Sequence, residues 1–300
     1  MMAVYRDPFF DLKETLKLFS QYPSLASSVR RLWFAGFHVS ETGAYIFEIL
    51  AHCNNLRSVT LPSIALRHGT VEDWSRLLGR RPGFGGIASL ELLAVDLKDL
   101  QKLSAFNRKD HQALDRVSVN FSCLTRLKIF GDTNFMPVKD DDVRKMARTA
   151  TNLKEVHVTG MSSITISGIM ALVKSSKDSL RVLEYSPVAN DGFGHLDLAG
   201  TESDGHLCST LINCRRLENL SISLPAICPD LFLSDTLNWK GEVQIRATRL
   251  CPVYQSLALS AEAQDKFWKM LDHARTLMAA LASDLRIEIF ICKGLPLYNP

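Results

Sequence analysis

His157 is the side chain best suited to moving a proton in this 300-residue chain, and Glu155 stands two positions before it. Residues two apart on a strand point to the same side. On a strand, then, an imidazole would lie beside a carboxylate, an arrangement that can serve as an acid/base couple. A hydrolase or transferase built on that pair would also need an activated nucleophile, and no G-x-S-x-G motif accompanies it. The eight histidines show neither H-x-x-x-H nor H-E-x-x-H spacing. Cys208 and Cys214 have no histidines at zinc-site spacing. The stretch Arg80-Arg-Pro-Gly-Phe-Gly-Gly86 has the glycines of a phosphate cradle but lacks G-x-x-x-x-G-K-[ST], and reads as a loop. Asp140-Asp-Asp142 has the carboxylates of a cation site, but it opens a helical pattern, where acids cap free N–H groups and favour the positive end of the dipole. The expectation is a protein that is not an enzyme and holds no metal or cofactor. A hydrolase or transferase using His157 is the rival reading.

The elements that place these residues follow one recurring plan. Thr151 to Tyr185 runs strand, turn, helix and strand again. Leu153, Val156 and Val158 fit L-x-x-L-x-L; Gly160 to Ser163 form a turn; Ile164, Ile169, Leu172 and Val173 fit the inner side of a short helix; Leu180, Leu183 and Tyr185 restart the strand pattern. The period from Val156 to Leu183 is 27 residues. Such a unit cannot bury its apolar side alone and must stack on its neighbours. Further strands of this kind are expected at 29–34, 56–61, 90–95, 124–129 and 217–222, with others at 242–245 and 285–291. The central positions are Leu32, Val59, Leu93, Leu127, Val156, Leu183 and Leu220, at gaps of 27, 34, 34, 29, 27 and 37 residues. Helices are expected near 41–52, 71–78 and 260–282. Cys53 and Cys214 each stand three residues before the first strand leucine, where Ala150 also falls, and read as packing residues. Three parts result: residues 1–27, a helical lead-in that begins at Asp7-Pro8 and caps the first repeat; residues 28–250, irregular repeats; and residues 251–300, a helix–strand cap and tail.

The repeat resembles the cysteine-containing leucine-rich repeats of F-box proteins, whose pattern is near L-x-x-L-x-L-x-G-C-x-x-I-T-D-x-G-L-x-x-L-A-x-x-C-x-x-L. Gly160, Ile164, Thr165, Gly168, Ile169 and Leu172 match it, and in the preceding unit so do Val138, Asp140, Val143, Met146, Ala147, Asn152 and Leu153. Ile166 stands where the pattern has Asp, and Lys177 where it has Cys. The segment YPSLASSVRRLWFAG is similar to the lead-in of fungal F-box/leucine-rich-repeat proteins. The resemblance covers roughly residues 22–250. It implies an α/β leucine-rich-repeat solenoid, a horseshoe with a concave parallel sheet and outer helices. It also implies a substrate-recognition role in a ubiquitin ligase, where an F-box recruits a Skp-type adaptor and a cullin. No L-P-x-E-[IL] segment of the F-box kind occurs in these residues. A free-standing repeat scaffold with no ubiquitin role is the alternative.

On such strands the residues flanking the central leucine point to the concave surface. They are Arg31 and Trp33, Ser58 and Thr60, Leu92 and Ala94, Arg126 and Lys128, Glu155 and His157, Val182 and Glu184, and Asn219 and Ser221. Mixed charge with an exposed Trp suits a protein partner, because aromatics and Arg dominate affinity at such interfaces. Nucleic acid is not expected: the net charge is only +3 and there is no run of Lys or Arg. A membrane is not expected either, since no apolar stretch approaches the roughly 18 residues needed to span one. Charges at Arg6, Asp7, Asp11, Lys13 and Glu14 interrupt any signal-peptide core. The seven cysteines, an odd count without a C-x-x-C pair, are expected as free thiols in the cytoplasm or nucleus.

Overall fold

The computed structural model describes residues 8–34, 40–63, 65–79, 86–93, 119–131, 138–160, 163–187, 207–227, 229–232, 239–250, 261–281 and 284–291. Their strands are β1 (Arg31–Trp33), β2 (Ser58–Pro62), β3 (Ser89–Leu93), β4 (Arg126–Phe130), β5 (Glu155–Thr159), β6 (Val182–Ser186), β7 (Asn219–Ile227), β8 (Gly241–Leu250) and β9 (Leu285–Ile291). The helices are α1 (Pro8–Gln21), α2 (Pro23–Ser28), α3 (Ser40–His52), α4 (Ala65–His68), α5 (Val71–Leu78), α6 (Asp140–Ala147), α7 (Ile166–Ser176), α8 (Leu207–Ile212) and α9 (Ala261–Leu281). A 3₁₀ turn spans Pro229–Phe232. All nine strands lie in one sheet, in the order of the sequence, and every neighbouring pair is parallel. The architecture is therefore α/β and solenoid-like: each strand is laid beside the last. No helix among the described residues is long and apolar enough to cross a membrane.

The register explains the sequence pattern. Leu32, Val59, Leu90, Leu127, Val156, Leu183, Leu220, Val243 and Ile287 stand side by side across the sheet. Two residues on, Leu61, Leu92, Ile129, Val158, Tyr185, Ile222, Ile245 and Ile289 form a second row. Both rows face the helices and join Ile46, Ile49, Trp74, Leu77, Val143, Met146, Ile169, Leu172 and Val173 in one apolar core. Strand side chains alternate, so one face is committed wholly to this core. Leu32 is only partly buried, because β1 is the short first strand and has a neighbour on one side.

The third strand differs from expectation. Leu90-x-x-Leu93-x-Val95 fits L-x-x-L-x-L, but so does Ile87-x-x-Leu90-x-Leu92, three residues earlier, and the chain adopts the latter. Ile87, Leu90 and Leu92 are buried, whereas Leu93 turns to the opposite face. Leu92 is thus a core residue, and Ala94 lies outside the described residues. The earlier register wins because it buries three large apolar side chains and leaves Glu91 facing out; the later one would expose Leu92.

Local chemistry starts and joins the units. Thr70 Oγ1 accepts from the Asp73 N–H at 3.1 Å while Asp73 accepts from the Thr70 N–H at 3.0 Å, a capping box that opens α5. At α6 the capping carboxylate is Asp142, which accepts from the Lys139 N–H at 2.9 Å. Asp140, expected in that role, reaches instead to the next unit, where its Oδ1 accepts from the Thr165 N–H at 2.7 Å and its Oδ2 from the Thr165 hydroxyl. A Cβ on Gly168 would lie 2.5 Å from Asp140 Oδ1, so this glycine makes room for the carboxylate. Asn55 Nδ2 donates to Ser27 O at 2.7 Å and Asn152 Nδ2 to Ser122 O at 3.0 Å, each bridging back to the preceding unit.

Cys53 and Cys214 are buried free thiols, with Sγ donating to the carbonyls of Ile49 and Thr210. Burial pushes Cys53 up to about 11; burial, with the charge of Asp178, pushes Cys214 up to about 12. Both act as small packing groups at the helix-to-strand turn. Residues 8–28 form α1 and α2, with Leu12 and Phe19 in the core, while Asp7, expected to open the lead-in, lies outside the described residues.

Candidate functional site

The face of the sheet turned away from the core carries three rows. The first is Arg31, Ser58, Ser89, Arg126, Glu155, Val182, Asn219, Glu242 and Arg286. The second is Trp33, Thr60, Glu91, Lys128, His157, Glu184, Ser221, Gln244 and Glu288. A third, at the strand ends, includes Pro62, Leu93, Phe130, Thr159 and Ser186.

Across β2 to β6 these side chains form a continuous polar chain. Thr60 Oγ1 donates to Glu91 Oε2 at 3.1 Å. Arg126 lies between two carboxylates, with Nη1 3.9 Å from Glu91 Oε1 and Nε 3.2 Å from Glu155 Oε2. His157 follows, with Nε2 3.6 Å from Glu155 Oε2 and Nδ1 2.9 Å from Glu184 Oε2. An ionised carboxylate only accepts, so Nδ1–H donates to Glu184. Lys128, in the middle of this group, places Nζ 4.5 Å from the centroid of the Phe130 ring, within cation–π range. Among the described residues it has no carboxylate partner.

The predicted positions divide accordingly. Arg126, Lys128, Glu155, His157 and Glu184 come together in one cluster. Arg31 and Trp33 are on the same face but at its N-terminal end, with Trp33 71% exposed. Asn219 and Ser221 continue the rows on β7 without joining the ion-pair chain. Thr60 lies on this face but is only 9% exposed, with its hydroxyl donating to Glu91. Three residues escaped the sequence reading. Glu91 and Leu93 follow from the shifted third strand, and the signal for them was Ile87. Phe130 lies one pleat beyond the L-x-x-L-x-L window; its signal was the continued alternation Arg126, Lys128, Phe130.

Chemically, the cluster is an array of fixed charges of both signs. Both polar partners of His157 among the described residues are carboxylates, and no hydroxyl or thiol is bonded to it there. Among the described residues no group of three His, Cys, Asp or Glu side chains has the geometry to hold a metal ion. No protein-family model matches the chain, and no curated protein matches it in sequence.

Proposed function

We propose that the chain is a leucine-rich-repeat horseshoe whose concave sheet face recognises a protein partner, in the manner of the substrate-recognition part of an F-box subunit of a ubiquitin ligase. The observation that carries this is the contrast within each strand: an apolar row packed on the helices, and opposite it a partly exposed array of mixed charge running over the four strands β3 to β6, with Trp33 toward one end of the face. Fixed charges of both signs on a rigid sheet give a partner both orientation and specificity. The face is not a uniform basic stripe, which is what a phosphate backbone would call for. A Skp-type adaptor and a cullin would join through an F-box; the recognition step depends only on the repeats.

The test is affinity capture of cellular partners by the wild-type chain, by Arg126→Glu/Lys128→Glu and by an outer-helix control, Glu48→Lys/Lys174→Glu. Reversing two interfacial charges costs about 2–5 kcal/mol where those charges are paired in the complex, so partners should be lost from the first variant and kept by the second. Co-captured adaptor and cullin peptides support the ligase context. Partners released by the outer-helix changes but kept by the sheet-face changes would move the site to the helices.

A further inference from the structure

Two charged groups in the middle of the open face have no Lys, Arg, Asp or Glu partner among the described residues. Lys128 on β4 has Phe130 beneath it and, among the described residues, no carboxylate within ion-pair distance. Glu184 on β6 has a single polar partner there, the His157 ring nitrogen, while its neighbours across the next strand are Ser221 and Asn219. The other charges in the cluster are in contact with one another: Arg126 is shared by Glu91 and Glu155. Lys128, His157 and Glu184 occupy the same row on β4, β5 and β6. Strands lie about 4.8 Å apart, so the two side chains leave the sheet about 10 Å apart. Beside this row, on the same face, Leu93 and Phe130 offer apolar surface.

We infer that this face binds a partner polypeptide segment bearing one acidic and one basic side chain about 10 Å apart on the same side, the acid seated on Lys128 and the base on Glu184. This rests on the reading that the open face is the binding face, and adds to it the chemistry and direction of what binds. An extended strand does not present two side chains at that spacing on one side, since its same-face residues recur every two positions, at about 7 and 13 Å. A polyproline-type segment does so with residues three apart, at about 9 Å. An α-helix does so with residues seven apart, at about 10 Å. An apolar residue of the segment would rest on Leu93 and Phe130. His157, between the two anchors, is bonded to Glu184 and fixes that carboxylate's position.

The experiment pans a phage-displayed random dodecapeptide library on the wild-type chain. It measures the enriched peptides against Lys128→Gln, Glu184→Gln and the doubly reversed Lys128→Glu/Glu184→Lys, with thermal melts and sedimentation of each protein. Enriched peptides should carry an acid and a base three or seven positions apart. Each neutral variant should weaken them by roughly threefold to tenfold, the range of a partly exposed charge pair. The doubly reversed protein should select peptides with the two charges in the opposite order. Peptides that are lost on Arg126→Glu yet carry no such pair overturn this inference and leave the binding face standing. Peptides indifferent to every open-face change sink both. A shift of oligomeric state in the reversed variant, without any change in peptide selection, makes a second copy of the chain the occupant and also overturns it.

Discussion

The two faces of the same nine strands obey different rules. Toward the helices, the central row reads Leu, Val, Leu, Leu, Val, Leu, Leu, Val, Ile, with no polar group. Toward solvent, the row one residue earlier reads Arg, Ser, Ser, Arg, Glu, Val, Asn, Glu, Arg. Backbone, pleat and hydrogen bonding are shared, so the difference is burial alone. A close-packed interior admits only side chains that fill it, while an exposed strand position tolerates most of the alphabet within about 0.5 kcal/mol. The core face therefore holds the fold constant, and the open face is free to vary without loss of the fold.

The comparison breaks most visibly on the core face. Leu127 is fully buried between Leu90 and Val156. Leu127→Ala should cost about 2–5 kcal/mol through lost burial and an unfilled cavity, read as a shifted midpoint in denaturant unfolding. A loss under about 1 kcal/mol would mean that neighbouring units close over the gap and that the faces differ less than their sequences do.

A smaller effect is expected at the joint between units. Asp140 accepts twice from Thr165 and is close to Arg144. Asp140→Ala leaves the Thr165 N–H without its acceptor and should cost about 1–3 kcal/mol. Gly168→Ala alone drives a methyl against that carboxylate, 2.5 Å away. In the double variant Asp140→Ala/Gly168→Ala the methyl gains room, so the two costs should add to more than the double variant shows. Strict additivity in the unfolding data would separate the glycine from the carboxylate and refute this account of the joint.

How much of this was legible follows from the same contrast. The core rows on β2, β4, β5, β6 and β7 could be read because one apolar residue at each second position repeats in every unit. β3 misled because Leu90, Leu92 and Leu93 fit two registers, and only Ile87 separates them. β9 was plain from its alternation, and α5 from its apolar spacing. Arg126, Lys128, Glu155, His157 and Glu184 could be placed on one face from alternation alone. Their pairing could not, because which strands are neighbours, and in what register, is settled by stacking and not by local sequence. Asp140 shows the limit: an acid at a helix start has a local use, and nothing nearby in sequence discloses that Thr165, 25 residues on, uses it instead.

The smallest effect belongs to the open face. Arg126 is 41% exposed on its side chain and lies between Glu91 and Glu155, so its charge is partnered while much of the side chain still meets solvent. Exposed ion pairs contribute about 0–1 kcal/mol, because solvent screens the attraction and two long side chains lose freedom. Arg126→Ala should therefore shift unfolding by less than about 1 kcal/mol, even though it removes the one cation between two acids. A double-mutant cycle with Glu155→Ala isolates the pair: the coupling should be a few tenths of a kcal/mol and should shrink as salt is raised. Glu91 keeps its bond from Thr60 in every arm of that cycle, so a large coupling could not be blamed on an orphaned Glu91. A coupling of about 2 kcal/mol or more that persisted in high salt would make the polar chain part of what holds the strands together. The open face would then be constrained as the core face is, and the proposal that it recognises a partner would lose its footing.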